Sequence, residues 1–210
     1  MSLLHQIALC CITGVGSVLA RNLLSYCGDA EEVFRAKKKE LRKVPGIGPK
    51  TIGLIENHSA FGRAEQELLF IEKYKINPLF LTDDSYPKRL RNCYDAPVML
   101  FFKGNADFNS SKIISIVGTR NSTEYGREIC RTLIADLKNH DPLIISGLAY
   151  GIDYTAHREA LKNMIPTVGV MAHGLDRIYP AQHRSVAQKM LECGGILTEF
   201  MSETIPDREN

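Results

Sequence analysis

Little in this sequence points to metal, disulfide or membrane chemistry. It has six cysteines, at positions 10, 11, 27, 93, 130 and 193, but no C-x-x-C pair and no cysteine near a histidine at zinc-finger spacing. No apolar run reaches the roughly 18 residues that cross a bilayer. The opening stretch, Met1 to Cys11, is mildly apolar but lacks the basic segment of a secretory leader. A cytoplasmic protein with reduced thiols and no membrane contact is the simplest reading. A large charge excess is missing too: the formal net charge is +2, so any affinity for nucleic acid must come from local basic patches. The standard nucleotide fingerprints, G-x-G-x-x-G and G-x-x-x-x-G-K-[ST], are absent.

What is present is the material of an ordinary folded protein: 210 residues, 44% apolar and 24% charged, enough for one large or two small domains. Residues 1–75 carry helical spacing. Leu4, Ile7, Ala8, Cys11 and Ile12 form one stripe, and Leu19, Ala20, Leu23 and Leu24 another. Cys10 and Cys11 sit on such a face, where core packing explains them better than redox chemistry. Asp29 followed by Glu32 resembles a capping box. A longer helix is predicted from about Ala60 to Tyr74, with Ala64, Leu68 and Ile71 on one face.

After Asn77 the pattern changes. Pro78–Thr82 and Val98–Phe102 are short apolar runs. Strand candidates at Ile113–Val117, Leu143–Ser146, Thr167–Met171 and Ile196–Glu199 then alternate with helical stretches near 124–139, 153–163 and 182–192. Apolar strands alternating with helices predict an α/β fold, a parallel sheet covered on both faces. The last strand is followed only by a short polar stretch through Pro206 to Asn210. A sheet of this kind normally continues, so the sequence is expected to be a piece of a longer chain.

Two phrases in the helical part look alike, Ile12-Thr13-Gly14-Val15-Gly16 and Val44-Pro45-Gly46-Ile47-Gly48. They resemble the turns of a paired helix-hairpin-helix unit, where glycine permits the tight turn and helix amides can meet a phosphate. Residues 35–50 around the second hold seven cations against one acid, Glu40. Such a run suits DNA-backbone contact, but the simpler reading is a solvated face on a scaffold domain.

Three glycine-bearing loops follow three successive strands: Gly118–Ser122, Ser146–Asp153 and His173–Asp176. All should lie at the carboxyl ends of parallel strands, the edge where open α/β sheets bind ligands. Arg120 in the first loop and Arg184 beyond the third add cationic groups. The three loops together predict a phosphate-bearing ligand.

Four ordered motifs carry a family resemblance. Ser85–Leu90 with Asp95-Ala96-Pro97 leads into Val117-Gly118-Thr119-Arg120. Ser146–Asp153 with Ala156-His157, then Gly174–Pro180, and finally Gly194-Gly195 to Thr198-Glu199 follow. The sequence resembles the DprA/Smf family over about 78–210. The resemblance implies a helix-hairpin-helix (SAM-like) domain at 1–75 and a Rossmann-like DNA-binding domain at 76–210. It implies a non-enzymatic, cofactor-free protein that binds single-stranded DNA in natural transformation, protects incoming strands and helps load the recombinase RecA. The matching DNA-binding positions are Gly118, Thr119, Arg120, Ser146, Gly147, Gly151 and Arg184. The family continues past residue 210, and its usual self-association surface lies in that continuation.

Other residues have competing readings. Asp153 and His157, four apart on one helix, allow a carboxylate–imidazole bond, but capping by Asp153 and a packed histidine are the plainer account. Tyr125, Tyr150 and Tyr179 could stack bases or simply pack. The alternative function is a nucleoside monophosphate phosphoribohydrolase, which would need P-G-G-x-G-T-x-x-E. Here Gly194-Gly195-Ile196-Leu197-Thr198-Glu199 lacks the third glycine and the spacing.

Overall fold

A computed structural model describes residues 2–206. Asp207 to Asn210, part of the stretch behind the expectation of a continuing chain, lie outside the described residues. The chain divides into two compact units, 1–99 and 100–210.

The first unit is mostly helical: α1 (Leu3–Cys10), α2 (Ser17–Cys27), α3 (Ala30–Arg35), α4 (Lys38–Leu41), α5 (Pro49–Glu56) and α6 (Ala60–Tyr74), with β1 (Asn77–Phe80) and α7 (Lys88–Arg91) after them. The Asp29 carboxylate accepts from the Glu32 amide at 2.9 Å and so caps α3. The two hairpin turns hold Gly14 at φ 80° and Gly46 at φ 81°, a backbone region that favours glycine. Gly14 sits against Leu54 of α5, and Gly46 against Leu19 of α2. Each turn is therefore covered by the helix that follows the other turn. Tyr86 is fully buried, and its hydroxyl donates to the Pro97 carbonyl at 2.6 Å.

The second unit contains β3 (Ile113–Ser115), α8 (Glu124–Leu137), β4 (Leu143–Gly147), α9 (Ile152–Lys162), β5 (Thr167–Met171), α10 (Arg184–Met190) and β6 (Gly194–Thr198). β2 spans Met99–Gly104. Within this unit the strands lie side by side in the order β2-β6-β5-β4-β3. The predicted alternation is there, and β3, β4, β5 and β6 are parallel neighbours. β2 joins β6 antiparallel, with Phe101 opposite Thr198, so the sheet is mixed.

The expected helix cover on both faces is not what this strand order makes. Each crossover steps to the next strand in the same direction. With right-handed connections, all three helices then fall on one face. Accordingly α9 packs between α8 and α10. Ile134, Ile144, Ala156 and Ala160 fill the α8–α9 side of the core; Leu148, Met171, Val186 and Met190 fill the α10 side. The helix spacing in the sequence located these helices but held no information about the side they take.

Candidate functional site

The loops after β3 and β4 meet at the carboxyl edge of the sheet because their glycines let them. Gly151 has φ 84°, and a Cβ there would stand 2.1 Å from the Thr119 carbonyl oxygen and 2.6 Å from that of Arg120. The α9 amide of Ile152 donates to the same Thr119 carbonyl at 3.3 Å. A Cβ on Gly118 would collide with the Ile152 side chain at 2.5 Å, and one on Gly147 with the Asp153 carboxylate at 2.6 Å. The sequence reading assigned these glycines to phosphate approach. Each also has a packing reason of its own.

This interlocking fixes where Arg120 emerges. Arg120 is exposed, and among the described residues no ion pair engages it. It lines two cavities at once. One, of about 560 Å³, is bounded by Gly147, Leu148, Tyr150, Val170, His173 and Tyr179. The other, of about 620 Å³, is bounded by Tyr150, Gly151, Tyr154, Arg127, Arg131 and Arg158. Arg120 and Tyr150 form the rim they share. Tyr125, Tyr150 and Tyr179 are exposed, as base stacking requires.

The remaining predicted positions are placed differently. Ser146 is 3% exposed, and its hydroxyl donates to the Ile116 carbonyl at 2.6 Å, tying β4 to the end of β3. The Thr119 hydroxyl accepts from the Asn121 amide at 3.2 Å and shapes the first loop. Arg184 begins α10 and is exposed, but it lines neither of the two cavities. Its neighbour His183 is buried and donates through Nδ1 to the Leu148 carbonyl at 2.8 Å, bringing the β5–α10 connection against the β4 loop. Tyr154 stacks on the His183 ring at 4.3 Å, and the Tyr150 hydroxyl donates to Gln182 at 3.0 Å.

Asp153 and His157 do not form the bond their spacing allows. Burial pushes the Asp153 carboxyl up, opposed by Ser146, the amides of Ala149 and Gly118, and the charge of Arg120. His157 is wholly buried. Its Nδ1 lies 2.7 Å from the Thr167 hydroxyl and its Nε2 2.6 Å from the Gly147 carbonyl. A carbonyl can only accept, so Nε2 carries a proton; the Thr167 hydroxyl lies between Nδ1 and the Ile144 carbonyl, which is 3.2 Å from it. Desolvation drives the His157 pKa from 6.5 down to about 4. The folded chain thus binds fewer protons than the unfolded one between about pH 6.5 and pH 4. Stability falls as pH drops through that window, by up to about 1.4 kcal/mol per pH unit, and below it this group adds no further change. NMR titration of the imidazole checks this: the ring should stay neutral at pH 5, and titration near 6.5 would contradict the assignment.

The sequence reading missed Arg127, Arg131 and Arg158. A signal existed, since Arg127 and Arg131 stand four apart on the helix after the first glycine loop.

Comparison with known proteins fits this geometry. A family model described as DNA recombination-mediator protein A matches residues 77–210, and one for a SAM-like helix-hairpin-helix tandem matches 7–55. The chain belongs to the DprA/Smf family. Protein Smf of a Synechocystis strain is 34% identical over 209 residues, 95% of this chain and 51% of the relative. DNA processing protein DprA of Bacillus subtilis is 37% identical over 134 residues, covering 63% of this chain and 45% of the relative. The chain thus spans about half the length of these curated relatives. The X-ray structure of DprA from Streptococcus pneumoniae superposes with a TM-score of 0.79 at 26% identity, over all of this chain and 71% of that one. A structure of the protein from Helicobacter pylori, described for a unique single-stranded-DNA-binding mode, gives 0.57 at 28% identity over 65% of this DprA/Smf chain and 60% of that one.

Proposed function

We propose that this chain binds single-stranded DNA as part of DNA processing in natural transformation. The strand lies along the carboxyl edge of the sheet. The observation that carries the reading is Arg120, an exposed guanidinium that no ion pair engages among the described residues, on the shared rim of two aromatic-lined cavities. Phosphate contacts hold a strand without reading its bases, so binding is nearly independent of sequence. Tyr150 and Tyr179 offer faces on which any base can stack. The name of the Helicobacter pylori relative's structure supports the choice of ligand. The same reading assigns Gly118, Thr119, Ser146, Gly147 and Gly151 to building the site and Arg184 to its flank. Protection of incoming strands and help in loading the recombinase RecA, in the cytoplasm, complete the proposed role. Among the described residues no helix is long and apolar enough to cross a membrane.

No catalytic step is part of this role. Glu199, the carboxylate that the hydrolase alternative would use, is exposed at the end of β6, with partial desolvation pushing its pKa up. It stands in an incomplete motif. Titration of a labelled single strand and of its matched duplex tests the proposal, and the single strand should bind more tightly at every salt concentration.

A further inference from the structure

We infer that the cavity between the N-terminal halves of α8 and α9 is a second phosphate track, which carries the DNA backbone past Tyr150 and away from the sheet edge. The inference rests on the single-strand reading above and extends it to a surface which that reading leaves unused.

Three observations lead there. First, the 620 Å³ cavity is continuous with the loop site, because Arg120 and Tyr150 line both. Second, its walls are cationic in a way the loop site is not: Arg127, Arg131 and Arg158 join Arg120, with Ser122 and Thr155 as small polar neighbours. Third, the two α8 guanidiniums, Arg127 and Arg131, are held in place, while Arg158 is only loosely tied. Glu159 is only 3% exposed, and Arg158 at 3.5 Å, Lys162 at 3.4 Å and Arg131 at 3.9 Å converge on its carboxylate. Arg127 is paired with Glu124 at 2.7 Å, so Arg127, Arg131, Arg158 and Lys162 face Glu124, Glu128 and Glu159; with Arg120 added, the cavity keeps a modest excess of positive charge. Arg131 is held further by Glu124 and Glu128, both at 2.8 Å. Arg127 donates to the Ser122 hydroxyl at 3.2 Å. Side chains ordered before binding lose less entropy when a phosphate arrives.

A backbone on the rim at Arg120 has one apolar-walled cavity for bases and one arginine-walled cavity for phosphates. Residues four apart on a helix have Cβ atoms about 5–6 Å apart, so Arg127 and Arg131 offer a ladder along α8. Arg158 faces it from α9, exposed and held only at the edge of hydrogen-bonding distance. It is the arginine free to turn onto a ligand.

The test is length-dependent binding. A hexathymidylate can occupy the loop site alone, whereas an oligothymidylate of about 20 nucleotides exceeds the span of one small site. Arg158→Ala removes an exposed side chain, and thermal unfolding checks that the fold is intact. The long strand should bind this variant several-fold more weakly, with a log–log salt slope shallower by about 0.7. Hexathymidylate affinity should not change, and Arg158→Lys should recover most of the loss. Arg120→Ala should weaken both lengths. If Arg158→Ala leaves the long strand unaffected while Arg120→Ala weakens it, the track is wrong and the loop site stands. Equal weakening of both lengths by Arg158→Ala also overturns the track, because it puts Arg158 within the loop site. If Arg120→Ala affects neither length, the single-strand site itself is misplaced.

Discussion

Replacing Arg120 with alanine is expected to weaken single-stranded-DNA binding by tenfold or more. A hydrogen bond to a charged group contributes about 1.5–3 kcal/mol, and each 1.4 kcal/mol is a factor of ten. Arg120 is exposed on the rim of both cavities, so its loss removes a ligand contact and leaves the core alone. Thermal stability should therefore stay near that of the parent, while the salt slope becomes shallower by about 0.7 for the one phosphate released. A lost stacking contact behaves differently: Tyr150→Ala should weaken binding with little change in slope. Arg184→Ala serves as a graded comparison. Arg184 lines neither cavity, so its removal should weaken binding less than removal of Arg120. Affinities measured across salt concentration for the three variants check the order. Unchanged affinity and slope in Arg120→Ala would place the site elsewhere.

The second large effect is expected at Gly151. Its backbone, at φ 84° and ψ −122°, is one that side-chain-bearing residues avoid, and an added Cβ meets two carbonyl oxygens of the Arg120 loop. A strained backbone costs about 1–3 kcal/mol, and an overpacked contact about as much again. Gly151→Ala should lower the melting temperature by about 10 °C, given roughly 2–4 °C per kcal/mol for a chain of this size. It should also weaken DNA binding at temperatures where the fold persists, because the displaced loop is the one that carries Arg120. Gly53→Ala is the control. Gly53 lies in α5 with open space around its would-be Cβ, so that change should leave binding alone and cost no stability. Calorimetry and binding on the two variants give the comparison. Equal melting temperatures for both would contradict the account of the interlocked loops.

These two residues also show what the sequence could and could not reveal. The place of Arg120 at the sheet edge was legible because a strand, two small residues and a cation in that order predict a loop at the carboxyl end of a strand. Gly151 was legible as a glycine in a βα loop, but its reason was not. Loop-on-loop contact joins residues some thirty positions apart, and no local pattern records that. The same limit hid Ser146, whose hydroxyl reaches back to Ile116, and His157, whose partners are Gly147 and Thr167 instead of the nearby Asp153. The strands and helices themselves were readable, since apolar periodicity is a local property. The single-sided placement of α8, α9 and α10 was not, because it follows from strand order, which only tertiary pairing decides. Arg127, Arg131 and Arg158 escaped for a similar reason: on a helix an arginine near acids reads as a solvated surface until the cavity beside it is seen.

On the proposed function, one flexible strand, and not a rigid duplex, lies along the carboxyl edge of this sheet. Competition at equilibrium tests it most directly. Protein saturated with a fluorescent oligothymidylate is titrated with unlabelled single strand, matched duplex or poly-purine single strand, at low and moderate salt. Either single strand should displace the probe at similar concentrations, and the duplex only at much higher ones. Displacement by the duplex as readily as by the single strands would contradict it.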